Sequence, residues 1–133
     1  MFGPYNTNKG YEVKQTIVDI LDGYDVVPYK IDGFDHFRND VVYAKVVPSH
    51  ELRNLRRELS SELRPLCYNY RSHDSDFYHD FHITIAFRDI DGKFDDIMEY
   101  VSQRYDLQHE EYATRITNLQ KGSMMWEYDV VRG

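Results

Sequence analysis

Phe81-His82-Ile83-Thr84-Ile85-Ala86-Phe87 is the segment of this sequence whose residue types and spacing suit chemistry. Its β-branched and aromatic residues favour a strand, and a strand sends alternate side chains to opposite faces. Strict alternation makes Phe81, Ile83, Ile85 and Phe87 an apolar row to be buried against a helix. His82, Thr84 and Ala86 then line the other face, where small Ala86 leaves room beside an imidazole and a hydroxyl. An imidazole exchanges a proton near neutral pH, and a threonine hydroxyl donates to an anionic oxygen. Phosphodiester cleavage asks for these groups: the attacking oxygen loses a proton, the leaving oxygen gains one, and the nonbridging oxygens need donors. One His-x-Thr supplies half of that set, and two such strands facing each other would supply all of it without a metal. The triplet alone is also what a structural histidine beside a threonine looks like in a half-buried strand.

The elements that must position this strand can be read in order. Residues 9–22 form a first helix, with Ile17, Val18, Ile20 and Leu21 apolar late in the segment and Gly23 placed for a left-handed stop. Val26 to Asp32 reads as a strand that Pro28 pushes toward a sheet edge or a bulge and that Gly33 ends. Val41 to Val47 is the strongest strand by propensity, and Ser49 offers a hydroxyl cap for a helix striped by Leu52, Leu55, Leu59 and Leu63 and stopped by Pro65. Arg53, Arg56 and Arg57 lie off that stripe, as on a solvated, charge-laced face, although they could also face a phosphate. Cys67 to Asp80 has no period and reads as a loop. Asp91 caps a third helix with Phe94, Ile97, Met98, Val101 and Tyr105 on one face. Tyr112 to Leu119 and Met124 to Val131 form a hairpin around residues 120–123. The order α, β, β, α, β, α, β, β implies an α+β fold with largely antiparallel sheets and packed helices.

The 133 residues are 41% hydrophobic, enough for one compact domain spanning 1–133. A net charge of −7 opposes charge-driven binding to long DNA or RNA and leaves a small phosphate-bearing ligand as the partner to expect. Lacking any 20-residue apolar run, the sequence predicts no membrane partner, and a lone Cys67 and an N-terminus without a secretory pattern point to the reducing cytoplasm.

The run Val41-Val42-Tyr43-Ala44-Lys45-Val46-Val47-Pro48-Ser49, the Leu-striped helix, the loop and then Phe81-His82-Ile83-Thr84-Ile85-Ala86 together resemble the second half of the two-histidine phosphoesterase superfamily. That group includes the 2′-5′ RNA ligase-like proteins and the 2′,3′-cyclic nucleotide phosphodiesterases. The resemblance covers most of the chain after Val26 and implies a bilobal fold, each lobe bringing a His-x-Thr/Ser strand to a cleft, with the first lobe incomplete here. It implies action on 2′,3′-cyclic or 2′-5′-linked nucleotides or RNA ends without a metal or other cofactor. His82 becomes the general acid or base and Thr84 the donor to a nonbridging oxygen; as substrate-binding residues the sequence itself offers Tyr43 and Lys45, whose strand precedes the helix and could reach the same groove, and Trp126, which with Tyr112 or Tyr128 could stack a base.

The family's first motif precedes the first helix and is followed by a Gly-Pro-aromatic turn. This chain begins with such a turn, Met1-Phe2-Gly3-Pro4-Tyr5, and no triplet stands before it. His73-Asp74-Ser75 fits the pattern literally but sits in a polar loop without apolar alternation. Three readings follow: a truncated hydrolase, a degenerate relative that binds nucleotides without turnover, or an enzyme recruiting another histidine. Loss of one proton-transfer group costs about 100- to 10,000-fold in rate. Two further classes compete. His73, Asp74, Asp76, His79, Asp80 and His82 have the residue types of a metal site but no recognised ligand spacing. Alternatively the arginines of the second helix or the aromatic hairpin face a protein partner, although Trp126, Tyr128 and Val130 on one side of the last strand are accounted for by core packing.

Overall fold

The computed structural model describes residues 5–68, 80–90, 92–104, 108–120 and 123–130. Among the described residues, three α-helices and six strands make a mixed α+β fold: α1 (Gly10–Leu21), β1 (Pro28–Phe37), β2 (Val41–Pro48), α2 (His50–Leu63), β3 (His82–Phe87), α3 (Phe94–Arg104), β4 (Gln108–Tyr112), β5 (Arg115–Gln120) and β6 (Ser123–Asp129). They fall into two compact units, one of residues 1–28, 49–79 and 112–133, the other of residues 29–48 and 80–111. No helix among the described residues is long and apolar enough to cross a membrane.

The first unit holds α1, α2 and the antiparallel pair β5–β6. α1 buries Val13, Ile17 and Leu21, a four-residue recurrence that keeps one face inward. It ends without a left-handed residue: Gly23 and Tyr24 donate to the carbonyls of Ile20 and Leu21, so tightened three-residue bonds replace the glycine stop expected at Gly23. Ser49 caps α2 as its sequence suggests, its Oγ accepting the Leu52 amide at 3.1 Å. Arg56 is buried, contrary to the solvated face assigned to it. At 100° per residue it falls just beyond Leu63, between that residue and the buried Ser60, so the buried face of α2 is wider than its leucine stripe. In the hairpin, Tyr128 and Val130 are buried and Tyr5 donates through its phenol to Asn118 Oδ1 at 3.0 Å.

The second unit is a four-stranded sheet in the order β3-β2-β1-β4, with α3 on one face. Val42, Ile90 and Val101 are buried there, and Phe34, Ala86, Phe94, Ile97 and Met98 pack against them. The helical face expected in α3 is thus seen, except that Asp91 and Tyr105 lie outside the described residues. β1 departs from its sequence reading in two ways. It is an interior strand, and Pro28 is tolerated because it stands at the first position, ahead of the ladder. Nor does Gly33 end the strand: with φ at +72° it forms a bulge with Asp32 opposite Lys45, and pairing resumes through Phe37. β4, Gln108-His109-Glu110-Glu111-Tyr112, carries little strand propensity and had no signal in the sequence; its charges suit an edge.

Candidate functional site

β3 is where the structure most alters the sequence picture. Val42 pairs with Ala86 and Val41 with Phe87, but Tyr43 pairs with Thr84, Ala44 with Ile83 and Lys45 with His82. One residue, Ile85, is therefore extra on β3, a bulge that reverses the alternation halfway along the strand. Cross-strand partners share a face. Ala86 consequently turns to the core beside Val42 and α3, not to the His82 face as strict alternation requires. Phe87 goes the opposite way and is 52% exposed, while Ile83 and Ile85 are 43% and 48% exposed. The uniform apolar row expected of Phe81, Ile83, Ile85 and Phe87 does not form, since an extra residue splits it between faces.

His82 and Thr84 lie on the N-terminal side of the bulge and keep a common, exposed face. Their cross-strand partners Lys45 and Tyr43 bring an ammonium and a phenol to that face, at Cβ separations of about 5 Å for such pairs. Two neighbouring rings brace the imidazole of His82. Phe37 meets it edge-on at 5.1 Å and Tyr43 lies tilted at 5.3 Å, the two being stacked on each other at 4.3 Å. A third restraint is polar: His82 Nδ1 lies 3.1 Å from the carbonyl oxygen of Asp80. A carbonyl can only accept, so Nδ1 carries the proton and the lone pair of the neutral ring sits on Nε2. Partial burial raises the Tyr43 phenol above its ordinary value, with the carboxylates of Asp35 and Asp80 adding to the effect, so it stays a donor.

Of the residues the sequence marked, His82, Thr84, Tyr43 and Lys45 come together on adjacent strands of one sheet face. Trp126 belongs to the other unit, where Lys14 Nζ sits 5.6 Å from its ring centroid and its ring edge comes within 3.9 Å of a Cβ built on Gly10. Phe37 was not marked, because its approach to His82 passes through two strand pairings that no local spacing records. His73-Asp74-Ser75, and the metal-ligand candidates His73, Asp74, Asp76 and His79, lie outside the described residues.

A model of the 2′-5′ RNA ligase superfamily matches residues 1–120. The chain belongs to that superfamily. A comparison with curated proteins gives no match. Membership is consistent with the two-histidine phosphoesterase resemblance read from Val41 to Ser49 and Phe81 to Ala86. It also suggests activity of the phosphoesterase or ligase type.

Proposed function

We propose that this chain acts on, or binds, the 2′,3′-cyclic or 2′-5′ phosphodiester linkages of nucleotides and RNA ends, with His82 as the proton-transfer group and Thr84 as an oxyanion donor. The observation that carries the reading is the braced imidazole: Nδ1 is committed to a backbone carbonyl, leaving Nε2 to exchange a proton at the exposed face. A group held in this way pays little reorganisation cost at the moment of transfer. With a cyclic phosphate seated on the face, the Thr84 hydroxyl donates to a nonbridging oxygen as negative charge gathers there, and the Lys45 ammonium and Tyr43 phenol stand on the adjoining strand for the same oxygens. Water adds to phosphorus as one P–O ester bond breaks. His82 Nε2 either takes the proton from the water or, when charged, gives one to the departing ribose oxygen. His82 supplies one of the two proton transfers, the other proton is exchanged with solvent water, and Thr84, Tyr43 and Lys45 supply the donors.

Purified chain incubated with 2′,3′-cyclic nucleotides tests the proposal. Turnover that survives a chelator and falls about 100- to 10,000-fold in His82→Ala supports an enzyme. Binding that weakens in His82→Ala without turnover in either protein supports a nucleotide-binding relative. Wild type and variant that neither bind nor turn over any of these substrates would reject the proposal.

A further inference from the structure

The second unit carries an open surface cavity of about 460 Å³ lined by Lys30, Ile31, Asp32, Val47, Gln108, His109 and Glu110, with the Lys30 and Glu110 side chains largely exposed. That volume is in the range that holds small organic ligands. Its position follows from strand register. Lys30 pairs with Val47, which lies on β2 two residues beyond Lys45 and so on the same face as Lys45 and Tyr43. Lys30 Nζ meets Glu110 Oε1 at 3.1 Å and Gln108 Nε2 donates to Asp32 Oδ1 at 3.4 Å, which ties β4 to β1. His82, Lys45, the Asp32–Gly33 bulge and Gln108 thus form a continuous rung across all four strands. The stem of Lys45 leans over the bulge, its Cε 3.9 Å from where a Cβ would stand on Gly33. At about 4.8 Å per strand, the cavity begins about 10 Å from His82, the reach of a nucleoside from its phosphate to the far edge of its base.

The lining chemistry narrows the ligand further. Val47, 47% exposed, offers an apolar surface for the flat face of a base. Around it the polar groups alternate in kind: the carboxylates of Asp32 and Glu110 accept, the ammonium of Lys30 donates, and the Gln108 amide does both. The Watson–Crick edge of guanine presents two adjacent N–H donors beside a carbonyl oxygen. A carboxylate takes both donors at once, and a neighbouring ammonium or amide takes the oxygen. Uracil offers one N–H between two acceptors, and adenine and cytosine present acceptors next to their amino groups, so each would set a lone pair against a carboxylate. A bare cation is a poorer occupant, because Lys30 already neutralises Glu110.

We infer that this cavity is a nucleobase subsite that prefers guanine, with Asp32 as the main discriminating residue, seating the nucleoside whose phosphate lies against His82 and Thr84. The inference rests on the phosphoester reading of His82 for the phosphate's position. The test is a binding measurement, so it separates from the test of turnover. Calorimetric titration of the full chain with the 3′-monophosphates of guanosine, adenosine, cytidine and uridine should show guanosine bound about tenfold or more tightly than uridine. Asp32→Asn should bring guanosine to within about twofold of uridine, by weakening guanosine and by relieving the lone-pair clash that disfavours uridine. His82→Ala should weaken all four alike and preserve their ranking. Four equal affinities in the wild type, or a guanine preference that survives Asp32→Asn, would overturn the subsite, even with cyclic phosphodiesterase activity intact. The preference without any turnover would uphold the subsite and place the failure in the catalytic reading.

Discussion

Phe37→Ala probes the brace on His82 directly. Phe37 makes two ring contacts, stacked on Tyr43 at 4.3 Å and edge-on to His82 at 5.1 Å. Aromatic pairs contribute about 0.5–1.5 kcal/mol beyond burial, so the variant loses that much preference for the observed imidazole orientation. The Nδ1 bond to Asp80 and the Tyr43 contact remain. At 1.36 kcal/mol per tenfold, the ratio of the observed His82 rotamer to its alternatives falls by between about twofold and about tenfold. Turnover should drop through kcat by up to that factor, with KM little changed, because the phosphate contacts proposed for Thr84 are untouched. Phe37→Leu restores apolar area but no ring edge, and it should recover stability without recovering the orientation. The assay is NMR: side-chain couplings and ring NOEs of His82 report its rotamer populations whether or not any substrate turns over. A His82 ring as ordered in Phe37→Ala as in wild type would refute the idea that the rings hold it.

Two further perturbations follow from the same structure. Deleting Ile85 removes only the residue that has no partner in the ladder, so all five β2–β3 pairs persist and stability should change by within about 1 kcal/mol: about half of an isoleucine's burial is lost and about one hydrogen bond is gained. Deleting Ile83 instead moves His82 opposite Ala44 on the core face; urea midpoints, together with the His82–Phe37 NOE that only the first deletion should keep, distinguish the two. Partial burial, reinforced by Glu58, pushes Tyr24 up to about 12. Because the unfolded phenol ionises near pH 10 while the folded one keeps its proton, Tyr24 stabilises below about pH 10, and that contribution fades as pH rises from 10 toward 12. Tyr24→Phe should flatten the alkaline fall in Tm, and the difference in phenolate absorbance between the two proteins should titrate near pH 12.

What the sequence determined on its own is local. Apolar recurrence at three and four marked the buried stripe of α2, apolar weight late in the segment marked α1 without its buried Val13, the hydroxyl of Ser49 marked a helix start, and β-branched runs marked β2 and β3, because each depends on residues within one or two turns of chain. His82 and Thr84 were legible for the same reason: two residues apart, on the bulge-free part of β3, they share a face whatever the strand pairs with. Their companions were not. Phe37 reaches His82 only because β1 pairs with β2 and β2 with β3, and β4, with hardly any strand propensity, exists because β1 offers it an edge. The bulges at Ile85 and at Asp32–Gly33 likewise depend on the partner strand, since an extra residue has meaning only against a ladder that lacks it. Tertiary pairing therefore decided that Ala86 packs inward, that Arg56 is covered, and that Lys45 and Tyr43 stand beside the histidine.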